Sequence, residues 1–231
     1  MQIHGFNKTT LLDYPGHLAA TLFVSGCNFR CPFCHNASLV INPLGEETIP
    51  HDDIFATLKK RRGIIEGICI TGGEPTIYPG LKKFIISIKE MGFLVKLDTN
   101  GNNPKVLKDL VDNKLIDYVA MDIKNSKEKY SLSVGLPCFQ TNMIEESVDF
   151  LLNGRIPYEF RTTIVKEHHN LDDILAIGRW INGANAYYLQ AFKDSGDIIT
   201  PGLTSYPKNE LNKFRDALMP YIKSIEIRGI D

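Results

Sequence analysis

Short apolar runs alternate with amphipathic segments along almost the whole chain, and no other sequence feature limits the fold so sharply. Leu18–Val24, Gly67–Thr71, Phe93–Thr99, Tyr118–Ile123, Tyr158–Val165 and Ala186–Gln190 read as strands by length and by their aliphatic and aromatic content. Ile49–Arg62, Leu81–Met91, Pro104–Asp112, Met143–Leu152, Leu171–Ile181 and Asn209–Leu218 carry apolar residues at helical spacing. Ser224–Ile227 is a possible last strand. Such alternation implies parallel strands joined by right-handed crossovers. A doubly wound sheet and a barrel both satisfy it. About six units fall short of an eight-fold barrel, so the expectation is an α/β fold with a partial, open β/α barrel, in one domain over residues 1–231. Residues 1–17 read as an irregular lead-in ending at the turn Asp13-Tyr14-Pro15-Gly16. Asn42–Glu47 and Asp194–Pro207 read as loops, and Asn125–Asn142 as a long polar connection.

The polar residues of these units collect at or just past the strand ends: Cys27, Glu74, Asp98, Asn100, Asp122, Arg161 and Gln190. The carboxyl edge of a parallel sheet is where such folds place their sites. Asp122 is the hardest to explain as scaffold, because a carboxylate inside an apolar strand needs a partner. Net charge is −1 over 231 residues, so no overall field draws the chain to nucleic acid or acidic lipid. No apolar run is long enough to span a bilayer. Five cysteines without an export signal suggest a reducing, cytoplasmic setting and metal or free-thiol use.

Three of those cysteines, Cys27, Cys31 and Cys34, fall in GCNFRCPFCHN, residues 26–36. Three thiolates suit three corners of a 4Fe–4S cluster and leave one iron open to substrate. A Cys₃His zinc site using His35 is a second reading, although adjacent Cys34 and His35 side chains diverge. Cys31-Pro-Phe-Cys34-His35 also matches the c-type haem signature, and buried structural thiols are a fourth reading. Cys69 reads as core, and Cys138 has no evident role. His168-His169 reads as a polar loop and not as a chelating pair, and Trp180 as packing.

The cysteine loop is followed one strand later by Gly72-Gly73-Glu74-Pro75, then by Asp98-Thr99-Asn100-Gly101, Asp122-Ile123-Lys124 and Arg161. In this order the motifs resemble the radical SAM superfamily over nearly the whole chain. Within it the chain is similar to the activating enzymes of glycyl-radical enzymes. Leu12-Asp13-Tyr14-Pro15-Gly16 before the loop, and Tyr188-Leu189-Gln190-Ala191-Phe192, resemble the activators of anaerobic (class III) ribonucleotide reductase. Formate-lyase activators carry Asp-Gly-Pro-Gly-x-Arg at the lead-in; here Tyr14 replaces the first Gly and Leu18 stands at the Arg. The cysteine-rich insertion of two-cluster members is not present after Asn36.

The resemblance implies one 4Fe–4S cluster held by Cys27, Cys31 and Cys34, with S-adenosylmethionine on the open iron. Gly72, Gly73 and Glu74 would lie beside the methionine amino group, and Lys124 and Arg161 would meet the carboxylate. Asp98, Asn100 and Asp122 would serve the ribose, the amino group or a monovalent cation. Phe33, His35 and Asn36 would face the adenosine. Reductive cleavage would form a 5′-deoxyadenosyl radical that takes a hydrogen atom from a glycine of a partner protein, with reduced flavodoxin or ferredoxin as donor. The implied partner is anaerobic ribonucleoside-triphosphate reductase. Another glycyl-radical enzyme of the pyruvate formate-lyase type, or a small molecule as in 7-carboxy-7-deazaguanine synthase, are alternatives. A zinc-binding or electron-carrying module is the non-enzymatic one.

Overall fold

The computed structural model describes residues 1–42 and 47–230. Eight strands form one sheet: β1 (Ile3–Thr10), β2 (Ala19–Val24), β3 (Gly67–Gly72), β4 (Leu94–Thr99), β5 (Tyr118–Asp122), β6 (Tyr158–Ile164), β7 (Tyr187–Ala191) and β8 (Ile225–Arg228). Their spatial order is their sequence order, with β1 antiparallel to β2 and every later pair parallel. A doubly wound sheet reverses its order at a switch point. This sheet does not, so it curls in one direction as a barrel wall. Among the described residues β8 does not pair with β1, and the barrel stays open.

Eight helices accompany the strands: α1 (Ala37–Ile41), α2 (His51–Lys60), α3 (Leu81–Glu90), α4 (Pro104–Asp112), α5 (Tyr130–Val134), α6 (Asn142–Leu152), α7 (Leu171–Trp180) and α8 (Lys208–Leu218). Each longer helix buries one stripe at i, i+3, i+4 spacing, such as Leu81, Phe84, Ile85 and Ile88 of α3, or Leu107, Leu110 and Val111 of α4. Asn170 and Asp173 cap α7 reciprocally. Among the described residues no helix is long and apolar enough to cross a membrane.

Three expectations are corrected. The lead-in is largely strand β1, an edge strand whose outer face stays exposed, so it lacks the continuous apolar run that marks buried strands. Gly5 of β1 lets the Phe23 ring lie across it; a Cβ there would sit 3.0 Å from that ring. The described residues form eight strands where about six units were expected, seven of them parallel to one another, with Ile225–Arg228 closing the series. The connection 125–142 contains α5, and α1 follows the cysteine loop directly; both span only 5 residues, too short to show a period. The Asn42–Glu47 loop lies mostly outside the described residues.

The barrel interior is polar. Period-two alternation points Cys69, Lys96, Asp98, Tyr118, Asp122, Glu159, Arg161, Tyr188 and Gln190 inward, while the opposite faces meet the helices. Tyr14 fills the closed end, buried beside Tyr118 and His17. Gly67 makes room for it, since a Cβ there would come within 2.7 Å of the Tyr14 ring.

Candidate functional site

The carboxyl ends of β2 to β7 surround one cavity of about 220 Å³. Cys27, Cys31 and Cys34 line it together with Asp122, Lys124 and Arg161. Gly72, Asn100 and Gln190 complete its rim.

The cysteine loop is held from several directions. The Cys34 amide donates to the Cys31 carbonyl at 3.0 Å, and the Phe29 amide points at Cys27 Sγ at 3.3 Å. Arg30 Nη1 donates to the carbonyls of Cys27 and Phe29, both at 2.7 Å. Its own amide donates to Val134 of α5. Gly135 follows with φ 67°, pressed so close that a Cβ would lie 2.1 Å from the Arg30 oxygen. On the far side Thr200 N donates to the Pro32 carbonyl, and Asp197 accepts from the Ser38 amide and hydroxyl at the start of α1. Segments 125–142 and 194–207, read from the sequence as a polar connection and a loop, therefore both dock on the cysteine loop.

The Gly72-Gly73-Glu74 turn has a structural cause. Gly73 N donates to Val24 O and Glu74 N to Gly26 O, so the turn is sewn to the entrance of the cysteine loop. A Cβ on Gly73 would lie 1.9 Å from Gly26 O, and one on Gly72 (φ 116°) 2.3 Å from Val24 O. Glu74 is 1% exposed. Its carboxylate accepts from Thr76 N and Oγ1, Thr99 Oγ1 and Asn100 N. Burial raises its pKa against those bonds. These bonds tie β3 to β4, and Oε2 of Glu74, a residue on the cavity lining, takes only the Asn100 amide. Asn100 turns its amide to Asn28 Oδ1 at 2.7 Å, and Asn36 Nδ2 reaches the Gly72 carbonyl at 3.0 Å.

Across the cavity five charges alternate in a ladder. Lys96 pairs with Asp98; Arg161 Nη1 meets Asp98 Oδ2 at 2.9 Å and Arg161 Nε meets Asp122 Oδ1 at 2.9 Å; Lys124 Nζ meets Asp122 Oδ2 at 2.8 Å. Asp122 and Arg161 are direct register partners on β5 and β6. Burial opposes both carboxylates, but Arg161 and Lys96 hold Asp98, and Arg161 and Lys124 hold Asp122, below the ordinary carboxylate range. Burial likewise opposes the Lys124 charge, and Asp122 with Cys31 more than restores it. With three cations against two carboxylates, the ladder carries one surplus positive charge. Arg161 does not pair with its strand neighbour Glu159, which is taken by Arg228.

Burial pushes the Cys27 thiol up to about 12 and the Cys31 thiol to about 11, and raises Cys34 as well. A bound metal centre is what would hold them as thiolates. The donor set fits an Fe–S cluster with one open position: three thiols share the cavity, while Cys69 is fully buried beneath Lys96 and Cys138 is exposed elsewhere. Among the described residues no three His, Cys, Asp or Glu side chains converge on a single-ion site. His35, the candidate fourth zinc ligand, engages the Lys193 carbonyl through Nε2 at 2.9 Å and packs on Phe192. Burial lowers its pKa. Phe33 lies edge-on to His168 and His169.

A family model for the radical SAM superfamily matches residues 21–181. The chain belongs to the radical SAM superfamily, among the glycyl-radical-enzyme activating enzymes. A Methanocaldococcus jannaschii protein named as a candidate glycyl-radical enzyme activating enzyme is 33% identical over 99% of this chain and 96% of its own length. The pyruvate formate-lyase-activating enzyme of Staphylococcus aureus is 27% identical over 78% of this chain and 75% of its own. Among solved structures, Streptococcus suis SuiB superposes with a TM-score of 0.69 at 13% identity; the match covers 90% of this chain and about half (48%) of that protein. A domain of a Bacteroides vulgatus pyruvate-formate lyase-activating enzyme gives 0.57 at 14% identity over 71% of this chain and 99% of that one. At those identities the likeness is one of fold: a partial β/α barrel. Membership in the radical SAM superfamily implies a 4Fe–4S cluster and S-adenosylmethionine, in keeping with the three-thiol donor set.

Several residues around this radical SAM site escaped the sequence reading. Lys96 carried a signal: a lysine inside an apolar strand, two residues before Asp98, shares its face by strand period. His169, 1% exposed, accepts from the Val165 amide at Nδ1 and contacts the Lys124 carbonyl through Nε2 at 2.9 Å. It is a buried support behind Lys124. Asn28 and Asp197 gave no signal, because their partners are distant in sequence.

Proposed function

We propose that this chain generates a glycyl radical on a partner protein, and that the partner is anaerobic ribonucleoside-triphosphate reductase. The observation that supports it best is the cavity in which three thiols face a charge ladder with one cation to spare. When bound, the cluster and S-adenosylmethionine supply the one-electron cleavage and hydrogen-atom abstraction. The chain's residues hold and orient them. Cys27, Cys31 and Cys34 ligate the cluster, with the Phe29 amide directed at Cys27 sulfur. Lys124 and Arg161 bind the methionine carboxylate, which the surplus charge favours. Asp98 and Asp122 align those two cations. Gly72, Gly73 and Asn100 present close backbone and amide groups to the amino end, with Glu74 fixing their turn. Phe33, His35 and Asn36 border the adenosine. The site closes as one domain over residues 1–231, with reduced flavodoxin or ferredoxin as electron donor in the cytoplasm.

The preference for the reductase rests on the lead-in Leu12-Asp13-Tyr14-Pro15-Gly16. The 27% identical S. aureus relative favours the pyruvate formate-lyase type as the second reading. Anaerobic protein reconstituted with iron and sulfide, then reduced, should convert S-adenosylmethionine to 5′-deoxyadenosine. With anaerobic ribonucleotide reductase added it should give a glycyl-radical signal by electron paramagnetic resonance, and none with pyruvate formate-lyase. The reverse pattern selects the second reading. No cleavage with either partner present, in protein holding about four irons, would sink both.

A further inference from the structure

A monovalent cation is one of the ligands considered above for Asp98 and Asp122. Each of the four carboxylate oxygens there already accepts from a side-chain cation, Lys96, Arg161 or Lys124. The position of Lys96 is unusual. It lies on the middle of β4 with its side chain 2% exposed, inside the barrel and beneath the cavity. Its ammonium touches Asp98 Oδ1, and its next neighbour is Cys69 Sγ at 3.8 Å. Cys69 in turn lies 3.6 Å from the same Asp98 oxygen. A carboxylate oxygen and a soft sulfur from adjacent strands thus flank a single positive charge that is almost wholly buried. The opposite Asp98 oxygen holds Arg161, which bridges to Asp122.

We propose that Lys96 is a positioning residue, a tethered cation filling the place of a monovalent metal ion. Its ammonium neutralises the inner oxygen of Asp98, so that the outer oxygen fixes Arg161 toward the cavity. It also supplies the third positive charge of the ladder, and so the surplus that welcomes an anionic carboxylate. Without it the ladder is neutral and Asp98 Oδ1 keeps only the weak Cys69 Sγ contact; a small cation can take the place of the ammonium only if the lysine stem leaves space.

The purpose of this device rests on the proposed S-adenosylmethionine site, but its test does not. Thermal melts of the full chain, without added iron, are recorded in potassium, ammonium and choline chloride at equal ionic strength. The wild type should melt at one temperature in all three. Lys96→Ala, which removes charge and stem together, should melt about 5–10 °C lower in choline and recover at least half of that in potassium or ammonium. Lys96→Met keeps the volume filled and should fall without recovery. Lys96→Ala with Asp98→Asn removes the charge that calls for a cation, and should be indifferent to salt type. On reconstituted protein, S-adenosylmethionine binding by equilibrium dialysis should weaken at least tenfold in Lys96→Ala in choline and strengthen again in ammonium. A potassium-dependent melt of the wild type overturns the proposal. So does a Lys96→Ala chain that no cation rescues, folded or not. If the wild type itself binds no S-adenosylmethionine, the functional reading fails while the melts still decide this one.

Discussion

The barrel interior holds two buried charge clusters, and they are built differently. Toward the closed end Glu159 is 1% exposed and its charge is balanced by one cation. Arg228 meets it with two bonds, at 3.0 and 3.1 Å, while Tyr118 donates to it and Tyr188 lies under the guanidinium. That pair is neutral and sits away from the cysteine loop. Toward the open end the ladder from Lys96 to Lys124 spans three strands and the first residues after one of them, and it keeps an unmatched cation. A balanced bidentate pair has nothing left to offer a ligand and serves only register and packing. An unbalanced chain of charges is tolerable inside a protein when an anion completes it. Two clusters of similar composition thus have opposite meanings, and their stoichiometry and place are what separate them.

This contrast can be broken by experiment. The largest effect belongs to the thiols facing the ladder: Cys27→Ala, Cys31→Ala or Cys34→Ala should bring iron well below the four of the intact cluster and S-adenosylmethionine cleavage to background. Melting of the iron-free chain should change little by comparison. Next is Arg161→Met, which leaves two buried carboxylates short of a partner; it should cost about 3–5 kcal/mol in denaturant melts and weaken S-adenosylmethionine binding at least tenfold by dialysis. Retained binding would show that the open-end ladder is as structural as the closed-end pair. Acid should then act on the support behind Lys124. Burial lowers the His169 pKa to about 4 from 6.5 and lowers His168 in the same direction. The unfolded chain therefore takes up protons first. The stability due to neutral His169 is complete above pH 6.5 and is lost as pH falls through about 4, a loss of about 3 kcal/mol. Denaturant melts from pH 7 to 4 should show a shallower decline in His169→Gln. The smallest change is expected at the closed end: Glu159→Gln should cost about 1–3 kcal/mol and leave S-adenosylmethionine affinity within twofold. A tenfold loss there would erase the distinction between the two clusters.

Much of this molecule was readable before any coordinates. The six inner strands appeared because burial on both faces forces continuous apolar runs, as in Gly67–Thr71 and Tyr118–Ile123. The cysteine loop and the strand-end residues were visible because ligands and turns demand particular residue types at short spacing. Edge strand β1 was not, since an edge needs only one apolar face, and the short helices α1 and α5 were too brief for a period to emerge. The order of the strands also lay beyond the sequence: alternation is common to doubly wound sheets and barrels, and only the unbroken succession from β1 to β8 distinguishes them. Within the site, residue types were legible and partnerships were not. Glu74 was recognisable as an acceptor in a glycine turn, while its burial and its bonds to Thr76, Thr99 and Asn100 were not. Arg161 could have met Glu159 on its own strand, and instead the crossover connections bring Asp98 and Asp122 beside it. Local chemistry, including the pairs Lys96–Asp98 and Asp122–Lys124, is written in local sequence, whereas the bridges through Arg161 are decided by strands whose paired residues lie 39 and 63 positions apart and meet only once the crossovers have folded.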